Sequence, residues 1–166
     1  MLYILVGIIT LIILTFIGYI SHLWFHSKSS GPFYRSHLTH HYTLYPKTDL
    51  ISKPTEGYRS AGKDNTTYLF ALIFAPLVLT CLGLTIFSVI PIWIGLLILL
   101  EMFLISIVNE TMHSEFHLPN GFWHHFWFFK RLQKLHFLHH SFVLRNLGIY
   151  SYTWDRIFGT YRDKLK

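Results

Sequence analysis

The chain opens on a long apolar segment. Residues 2–20 contain no charged side chain. At about 1.5 Å per helical residue, such a segment nearly crosses a hydrocarbon core of about 30 Å. It therefore predicts a membrane-spanning helix over about residues 2–24. A cleaved signal peptide fits less well, because no basic residue precedes the apolar run and the run is longer than such a peptide needs.

A second uncharged segment covers residues 65–100, which is too long for a single crossing. It contains the step Ile90-Pro91, and the residue before a proline disfavours helix, so a turn is expected there. The segment therefore predicts a hairpin of two further spans, over about residues 68–87 and 92–109.

Composition and charge support a membrane location. Apolar residues make up 52% of the chain and charged residues only 13%, whereas a soluble domain carries about 25% charged residues. The net charge is +6, and every Lys and Arg lies between Lys28 and Lys63 or between Lys130 and Lys166. Three crossings place both basic stretches on one side, which the positive-inside rule assigns to the cytoplasm. The charge thus indicates topology, and no motif accompanies it that would indicate nucleic-acid binding.

The histidines form two groups that flank the predicted hairpin. Each group contains one H-x3-H pair and one H-x2-H-H unit. On a helix, positions i, i+3 and i+4 share one face, so each motif can direct its imidazoles toward one point. The topology brings both groups to the same face of the membrane. The pattern comprises His22, His26, His37, His40, His41, His113, His117, His136, His139 and His140.

This pattern predicts a site for two metal ions. Two ions with about four or five nitrogen ligands each would use all the pattern histidines, and imidazole suits iron and zinc. If the histidines were purely structural, every buried ring nitrogen would need its own hydrogen-bond partner. The single cysteine, Cys81, excludes a Cys-rich zinc site. His124 and His125 lie outside the pattern, in the aromatic segment 121–131, which predicts a helix in the headgroup region. Both are candidates for the interface or for hydrogen bonds to a ligand.

Three acidic residues are candidates for roles near the metals. Glu110 lies three positions before His113 and shares its helical face, so it is a candidate acceptor for a ligand ring N–H. Asp155 is a second such candidate, with a surface ion pair to a neighbouring arginine as the alternative. Glu101 lies inside an apolar run, where carboxylates are costly and often functional. It is a candidate for the lining of a substrate pocket, for a contact across helices, or for the interface. Glu115 should point away from the histidines.

The four histidine motifs resemble those of the fatty acid hydroxylase and sterol desaturase superfamily of membrane di-iron oxygenases. The tail looks like the ending of that family, an Asn-x-Gly stretch followed by Trp-Asp-Arg-x-Phe-Gly-Thr. The resemblance covers about residues 20–162. The matching tail residues are Asn146, Gly148, Trp154, Asp155, Arg156, Phe158, Gly159 and Thr160. Asn146 is thereby a further candidate for supporting the ligands.

The resemblance implies a fold, a cofactor and an activity. The ten pattern histidines would hold two iron ions, for which zinc can substitute in preparations, with O2 as co-substrate. No catalytic residue is expected beyond this dimetal site. The reaction would hydroxylate an unactivated C–H bond of a membrane lipid (fatty acyl, sterol or related). A separate electron donor of the cytochrome b5 or ferredoxin type would supply electrons. The host membrane would be the endoplasmic reticulum or a bacterial inner membrane.

The expected architecture is a single all-α integral membrane domain over residues 1–166. Three to four transmembrane helices would carry a helical cap on the cytosolic face, built from residues 22–41 and 110–162. Larger relatives have four membrane helices, whereas three are evident here. Two alternatives stay open: a lipid desaturase that uses the same dimetal site, and a non-enzymatic membrane protein that binds metal.

Overall fold

The computed structural model describes residues 1–48 and 66–165, with side chains of the second part described from residue 73 onward. All regular elements of this part are helices, which confirms the all-α prediction. Lys53, Arg59 and Lys63 of the first basic stretch lie outside the described residues.

Within the described residues, two helices are long and apolar enough to cross a membrane. Helix α1 covers Leu2–Phe25 and α4 covers Ile92–Phe116, and only 11% of the most apolar window of each is buried. A core helix of a soluble protein would be mostly buried, so the exposed apolar surfaces of these two helices are suited to contact with lipid. The helix between them, α3 (Thr66–Ile86), counts over its described side chains as a shorter apolar helix, Ile73–Ile86. A third span therefore remains a prediction.

Helices α3 and α4 form the hairpin that the sequence predicts, with the turn at Ile90-Pro91. Ser88 takes a positive φ of 57°, and the N–H of Val89 donates to the carbonyl of Leu84 at 2.9 Å, which closes the end of α3. Helix α4 runs past the predicted end of its span at residue 109. Polar residues after position 108 end the apolar run but do not end the helix, which continues to Phe116.

The two helices of the hairpin approach closely at Gly95, where a Cβ atom would collide with the side chain of Thr85 on α3. The Cys81 thiol also lies 3.7 Å from the Gly95 carbonyl oxygen. Small residues allow such close approach of helices. We expect Gly95→Leu to destabilise the protein by about 1–3 kcal/mol through overpacking, measured as a lower thermal midpoint in detergent. Gly83→Leu is the matched control, since open space surrounds that position. Equal midpoints for the two variants would contradict the tight crossing.

The polar part of the chain forms a cap at the carboxyl ends of α1 and α4. After Gly31, which has a φ of 60°, α2 (Pro32–Leu38) begins with a proline in its first turn and continues as a π-helical segment, Thr39–Leu44. Two further helices follow α4: α5 (Phe129–Ser141) and α6 (Thr153–Ile157). The histidine motifs therefore lie on, or directly after, five helical elements that meet at one end of the molecule: α1, α2, its π-helical continuation, α4 and α5.

The predicted headgroup helix over residues 121–131 is wrong. Only one 3-10 turn, Trp123–His125, forms before α5 begins at Phe129. The Glu115 carboxylate accepts the backbone N–H of Trp123 at 2.7 Å, and the Trp123 indole N–H donates to the Thr111 hydroxyl at 3.0 Å. These bonds fold the segment back onto α4 as a loop. Trp127 nevertheless remains 89% exposed.

Candidate metal centre

Five imidazoles from α1, α2 with its π-helical extension, and α5 converge on one point. Their Nε2 atoms lie 2.9 Å apart for His26 and His37, 3.0 Å for His37 and His41, and 3.0 Å for His41 and His139. The Nε2 atom of His22 lies 3.2 Å from that of His37. We call this set the five-histidine group: His22, His26, His37, His41 and His139.

Four further imidazoles form a second cluster from the π-helical segment, α4 and α5. The Nε2 atom of His136 lies 3.0 Å from that of His117 and 3.1 Å from that of His140. The ring of His113 packs against this cluster, with its centroid 4.7 Å from that of His40 and 4.8 Å from that of His136. We call this set the four-histidine group: His40, His117, His136 and His140.

Each H-x2-H-H unit contributes two histidines to one group and one histidine to the other, so the two motifs exchange a histidine. In the first H-x2-H-H unit, the outer residues His37 and His41 enter the five-histidine group, while His40 enters the four-histidine group. In the second unit, His139 is the one that crosses over. Adjacent residues on a helix point about 100° apart, so each His-His doublet spans both clusters. The rings of His41 and His140, one from each group, stack with centroids 4.2 Å apart. Each group thus combines motifs from both halves of the chain.

Backbone carbonyls fix the tautomers of three rings. The Nδ1 atom of His22 donates to the Leu147 carbonyl at 2.6 Å. That of His139 donates to the Arg145 carbonyl at 2.8 Å, and that of His140 donates to the Tyr45 carbonyl at 3.0 Å. Because a carbonyl oxygen only accepts, Nδ1 carries the proton in each ring. The Nε2 atoms therefore present lone pairs toward the centres of the groups.

The donor set fits a metal ion. Nitrogen ligands about 2.0–2.1 Å from one ion lie about 2.9–3.4 Å from each other in octahedral or tetrahedral geometry. Five of the Nε2 separations in the five-histidine group are 2.9–3.3 Å and fall in that range, and all ligand atoms of the group lie within 4.8 Å of one another. Converging lone pairs repel each other unless a cation lies between them. The carbonyl acceptors that orient the rings are the partners metal-bound histidines usually have.

Burial keeps these imidazoles neutral, as metal binding requires. First burial and then repulsion from His140 lower the pKa of His26 from 6.5 to about 4. Burial, followed by repulsion from the neighbouring histidines, lowers the pKa of His37, His136 and His139 well below 6.5. Nine of the ten pattern histidines are buried, and His26 is half-buried.

Asp155 hydrogen-bonds the backbone of the turn that contains Leu147 and Gly148. It is fully buried, and its oxygens accept the backbone N–H groups of Leu147 at 2.7 Å and Gly148 at 2.9 Å, and the Thr160 hydroxyl at 2.7 Å. Among the described residues, Asp155 forms no ion pair with Arg156 or Arg162, because the guanidinium of Arg156 lies over the Tyr161 ring and that of Arg162 over the Phe142 ring. Asp155 therefore holds the turn whose carbonyl orients His22.

Asn146 holds the same tail without contacting a histidine ring. It takes a φ of 53° and is fully buried. Its carboxamide donates to the Leu135 carbonyl at 3.1 Å and to the Arg162 carbonyl, and accepts the Arg162 N–H at 2.8 Å. These bonds attach the chain after α5 to the chain after α6. Its candidate role in supporting the ligands stays a prediction, since these bonds go to backbone groups.

The other sequence candidates lie around the groups. Glu110 lines a cavity beside them, and its role as an acceptor for a ligand ring stays a prediction. Glu101 is not among the residues that line this cavity; its carboxylate faces Gly7 across the α1–α4 contact. His124 and His125 hydrogen-bond the backbone carbonyls of Glu115 at 3.3 Å and Phe122 at 3.0 Å.

A cavity of about 600 Å³ opens between α1, α3, α4 and the chain after Asn146. Its walls toward the centre of the helices are apolar, with Leu14, Val78 and Met102 among them. Its end toward the cap contains polar side chains and His22 of the five-histidine group. The cavity therefore runs from the apolar helices to the edge of the candidate metal site.

The backbone acceptors of the ring N–H groups could not be predicted from the sequence. Leu147, Arg145 and Tyr45 orient rings through their carbonyl oxygens, and every residue type has a carbonyl, so no side-chain pattern reveals them. Tyr45 also stacks its ring on His117 with centroids 3.8 Å apart. Its only signal in the sequence is its position four residues after His41.

The comparisons with known proteins agree with this geometry. A family model described as fatty acid hydroxylase matches residues 7–160, a range that includes all ten pattern histidines and most of the tail. No curated protein and no solved structure matched this chain. Since the family model covers nearly the whole chain, the protein belongs to the fatty acid hydroxylase family.

Proposed function

We propose that this protein is an O2-dependent di-iron oxygenase that hydroxylates an unactivated C–H bond of a membrane lipid. The observation that carries the proposal is that His22 belongs to the five-histidine group and also lines the cavity between the apolar helices. A lipid segment in that cavity reaches the edge of the metal site. The volume of about 600 Å³ is ordinary for a site that takes a small molecule.

The chain itself supplies binding and orientation. Apolar side chains of α1, α3 and α4 take up a fatty acyl, sterol or related hydrocarbon and exclude water. The carboxamide of Asn109 and the carboxylate of Glu110 lie in the lining at the end toward the cap, where they can hydrogen-bond a polar group of the substrate. A polar group bound there brings the C–H bonds next to it beside His22, which lies at the same end of the cavity, while the rest of the hydrocarbon occupies the apolar part.

The cofactor fits the donor set. Two iron ions, when bound by the five-histidine and four-histidine groups with His113, supply the redox chemistry that activates O2. The exchanged histidines His40 and His139 hold the two groups adjacent to each other. Carbonyl acceptors keep Nδ1 protonated, so each oriented ring offers Nε2 to a metal.

We further propose that the cap faces the cytoplasm and receives electrons from a separate donor of the cytochrome b5 or ferredoxin type. Lys130, Arg131 and Lys134 are exposed on α5, the helix that also carries His136 and His139. An acidic donor that docks on this basic face would be separated from the histidines by about one helix diameter, roughly 10 Å. The membrane would be the endoplasmic reticulum or a bacterial inner membrane.

Metal and product analysis tests the proposal. We expect the purified protein to contain about two metal ions per chain, determined by elemental mass spectrometry. Lipids of an expressing host should gain products one oxygen heavier than their precursors, and these should incorporate label from 18O2. A vector-only host is the control for host enzymes.

The outcomes separate the alternatives. Products that lose two hydrogens without gaining oxygen would assign the chain as a desaturase on the same site. Two metals without any O2-dependent lipid product, in a host that supplies a donor, would favour a non-enzymatic metal-binding protein. A well-folded protein that binds no metal would contradict the proposal altogether.

A further inference from the structure

The C-terminal tail contacts one face of α1 at three successive turns. The Trp154 indole N–H donates to the Thr15 hydroxyl at 3.0 Å, and the Thr160 hydroxyl lies 3.2 Å from the hydroxyl of Tyr19. One turn later, the Leu147 carbonyl accepts from His22. Positions 15, 19 and 22 follow the i, i+4, i+7 spacing of one helical face. The tail therefore sets the position of the helix that delivers His22 and His26.

Asp155 lies at the centre of this contact. Its two oxygens receive three hydrogen bonds, from Leu147, Gly148 and Thr160. Thr160 is also the residue that contacts Tyr19 of α1. One carboxylate thus connects the turn that orients His22 with the residue that anchors α1. A fully buried carboxylate is tolerated because these donors replace its hydration.

Among the described residues, the tail carbonyls that accept from histidine rings all serve one of the two groups. Those at Arg145 and Leu147 orient His139 and His22, both of the five-histidine group. In the four-histidine group, the ring of His140 is instead oriented by the Tyr45 carbonyl, and no member comes from α1. A disturbance of the tail turn should therefore affect the two groups unequally.

We propose that Asp155 is a positioning residue for the metal ion of the five-histidine group and not for that of the four-histidine group. The inference rests on the proposed function, since it assumes two metal ions. Asp155 acts through the Leu147 carbonyl, which holds the His22 ring with Nε2 toward the centre. The same turn lines the cavity through Leu147 and Gly148, so one carboxylate aligns a ligand and a wall of the substrate site.

Asparagine is the informative substitution because it preserves shape and removes acceptors. In Asp155→Asn, the carboxamide oxygen can still accept one backbone N–H, but the NH2 group faces a second donor. The surroundings of Gly148 leave little room for movement. The position of a Cβ atom on this residue would overlap the Ser151 carbonyl and lie 3.1 Å from Asp155 Oδ2. The turn must shift, and the Leu147 carbonyl shifts with it.

The test measures the metal content of the full-length protein in detergent. We expect wild type to bind about two metals per chain and Asp155→Asn to retain about one. The affinity of the weakened site should fall about 10–100-fold, as when a hydrogen-bond partner of a ligand histidine is removed. Titration with Co2+, followed by its visible absorption, should show the loss of one of two ligand-field signatures. Asp163→Asn is the matched control, since that carboxylate is exposed on the same tail.

Each outcome decides the inference. Loss of one metal supports it when Asp155→Asn combined with His26→Ala still retains one metal, since both changes then affect the five-histidine group. Loss of both metals in that double variant, equal loss of both metals in Asp155→Asn, or full retention of both overturns it. If Asp155→Asn does not fold, Thr160→Val replaces it, because this variant removes one donor to the carboxylate and the contact to Tyr19 while keeping Asp155. It should weaken the same single site, and equal weakening of both sites overturns the inference. A wild-type protein without metal would instead contradict the proposed function, so the two failures are distinguishable.

Discussion

His139→Ala and His140→Ala are expected to remove different metal ions, although the two residues are neighbours on α5. Each variant should retain about one metal per chain where the wild type binds about two. Lipid oxidation should fall to the level of the host background in both. The loss in affinity at the affected site should exceed the roughly 10–100-fold effect of losing a partner of a ligand, because the ligand itself is removed.

The expected difference follows from the exchange between the motifs. The Nε2 atom of His139 lies 3.0 Å from that of His41, in the five-histidine group. The Nε2 atom of His140 lies 3.1 Å from that of His136, in the four-histidine group. Alanine is a strong helix former, so α5 should persist in both variants. The loss of metal in each variant therefore results from the missing imidazole and not from an unfolded helix.

Pairing the variants identifies which metal is lost. His139→Ala combined with His26→Ala should still retain one metal, because both residues serve the five-histidine group. His139→Ala combined with His136→Ala should retain none. His125→Ala is the control, since this histidine is exposed and lies outside both groups. If His139→Ala and His140→Ala together retain one metal, the division into two groups is wrong.

The parts of this fold that the sequence predicted are those set by local pattern. The uncharged run at the N-terminus forms α1, and the Ile90-Pro91 step marks the hairpin. The His22–His26 spacing places two rings on one face at the end of α1, because helical periodicity alone determines that face. Such features depend on neighbours in the chain and can be recognised without tertiary structure.

The division of the histidines depends on tertiary structure and could not be predicted. Spacing shows that His37 lies one turn before the adjacent pair His40 and His41, but which ring meets which partner depends on how α2 and α5 pack. The π-helical segment that carries His40 and His41 changes the ring directions further. The role of Asp155 was hidden for a related reason, since it acts through the backbone of Leu147.

Gly18→Phe should abolish most lipid oxidation while leaving both metals bound. Gly18 lines the cavity on α1, and a Cβ atom there would meet nothing within 4 Å. A phenyl ring can therefore enter the space proposed for the lipid without displacing the helices. A misplacement of about 1 Å at a reacting centre can cost about 100-fold in rate, so we expect turnover to fall by at least that factor. Product mass spectrometry and metal content, measured on one preparation, check the two parts of the expectation.

Gly83→Phe is the matched control for this change. Gly83 is also a helical glycine with open space around it, but it lies on α3 outside the cavity lining. Both variants add the same apolar surface to an apolar helix, so general effects of phenylalanine on insertion or stability should be shared. A selective loss of product in Gly18→Phe would then result from the filled cavity. Wild-type turnover in Gly18→Phe would mean that the lipid approaches the histidines by another route, because a phenyl ring and a hydrocarbon chain cannot occupy the same volume.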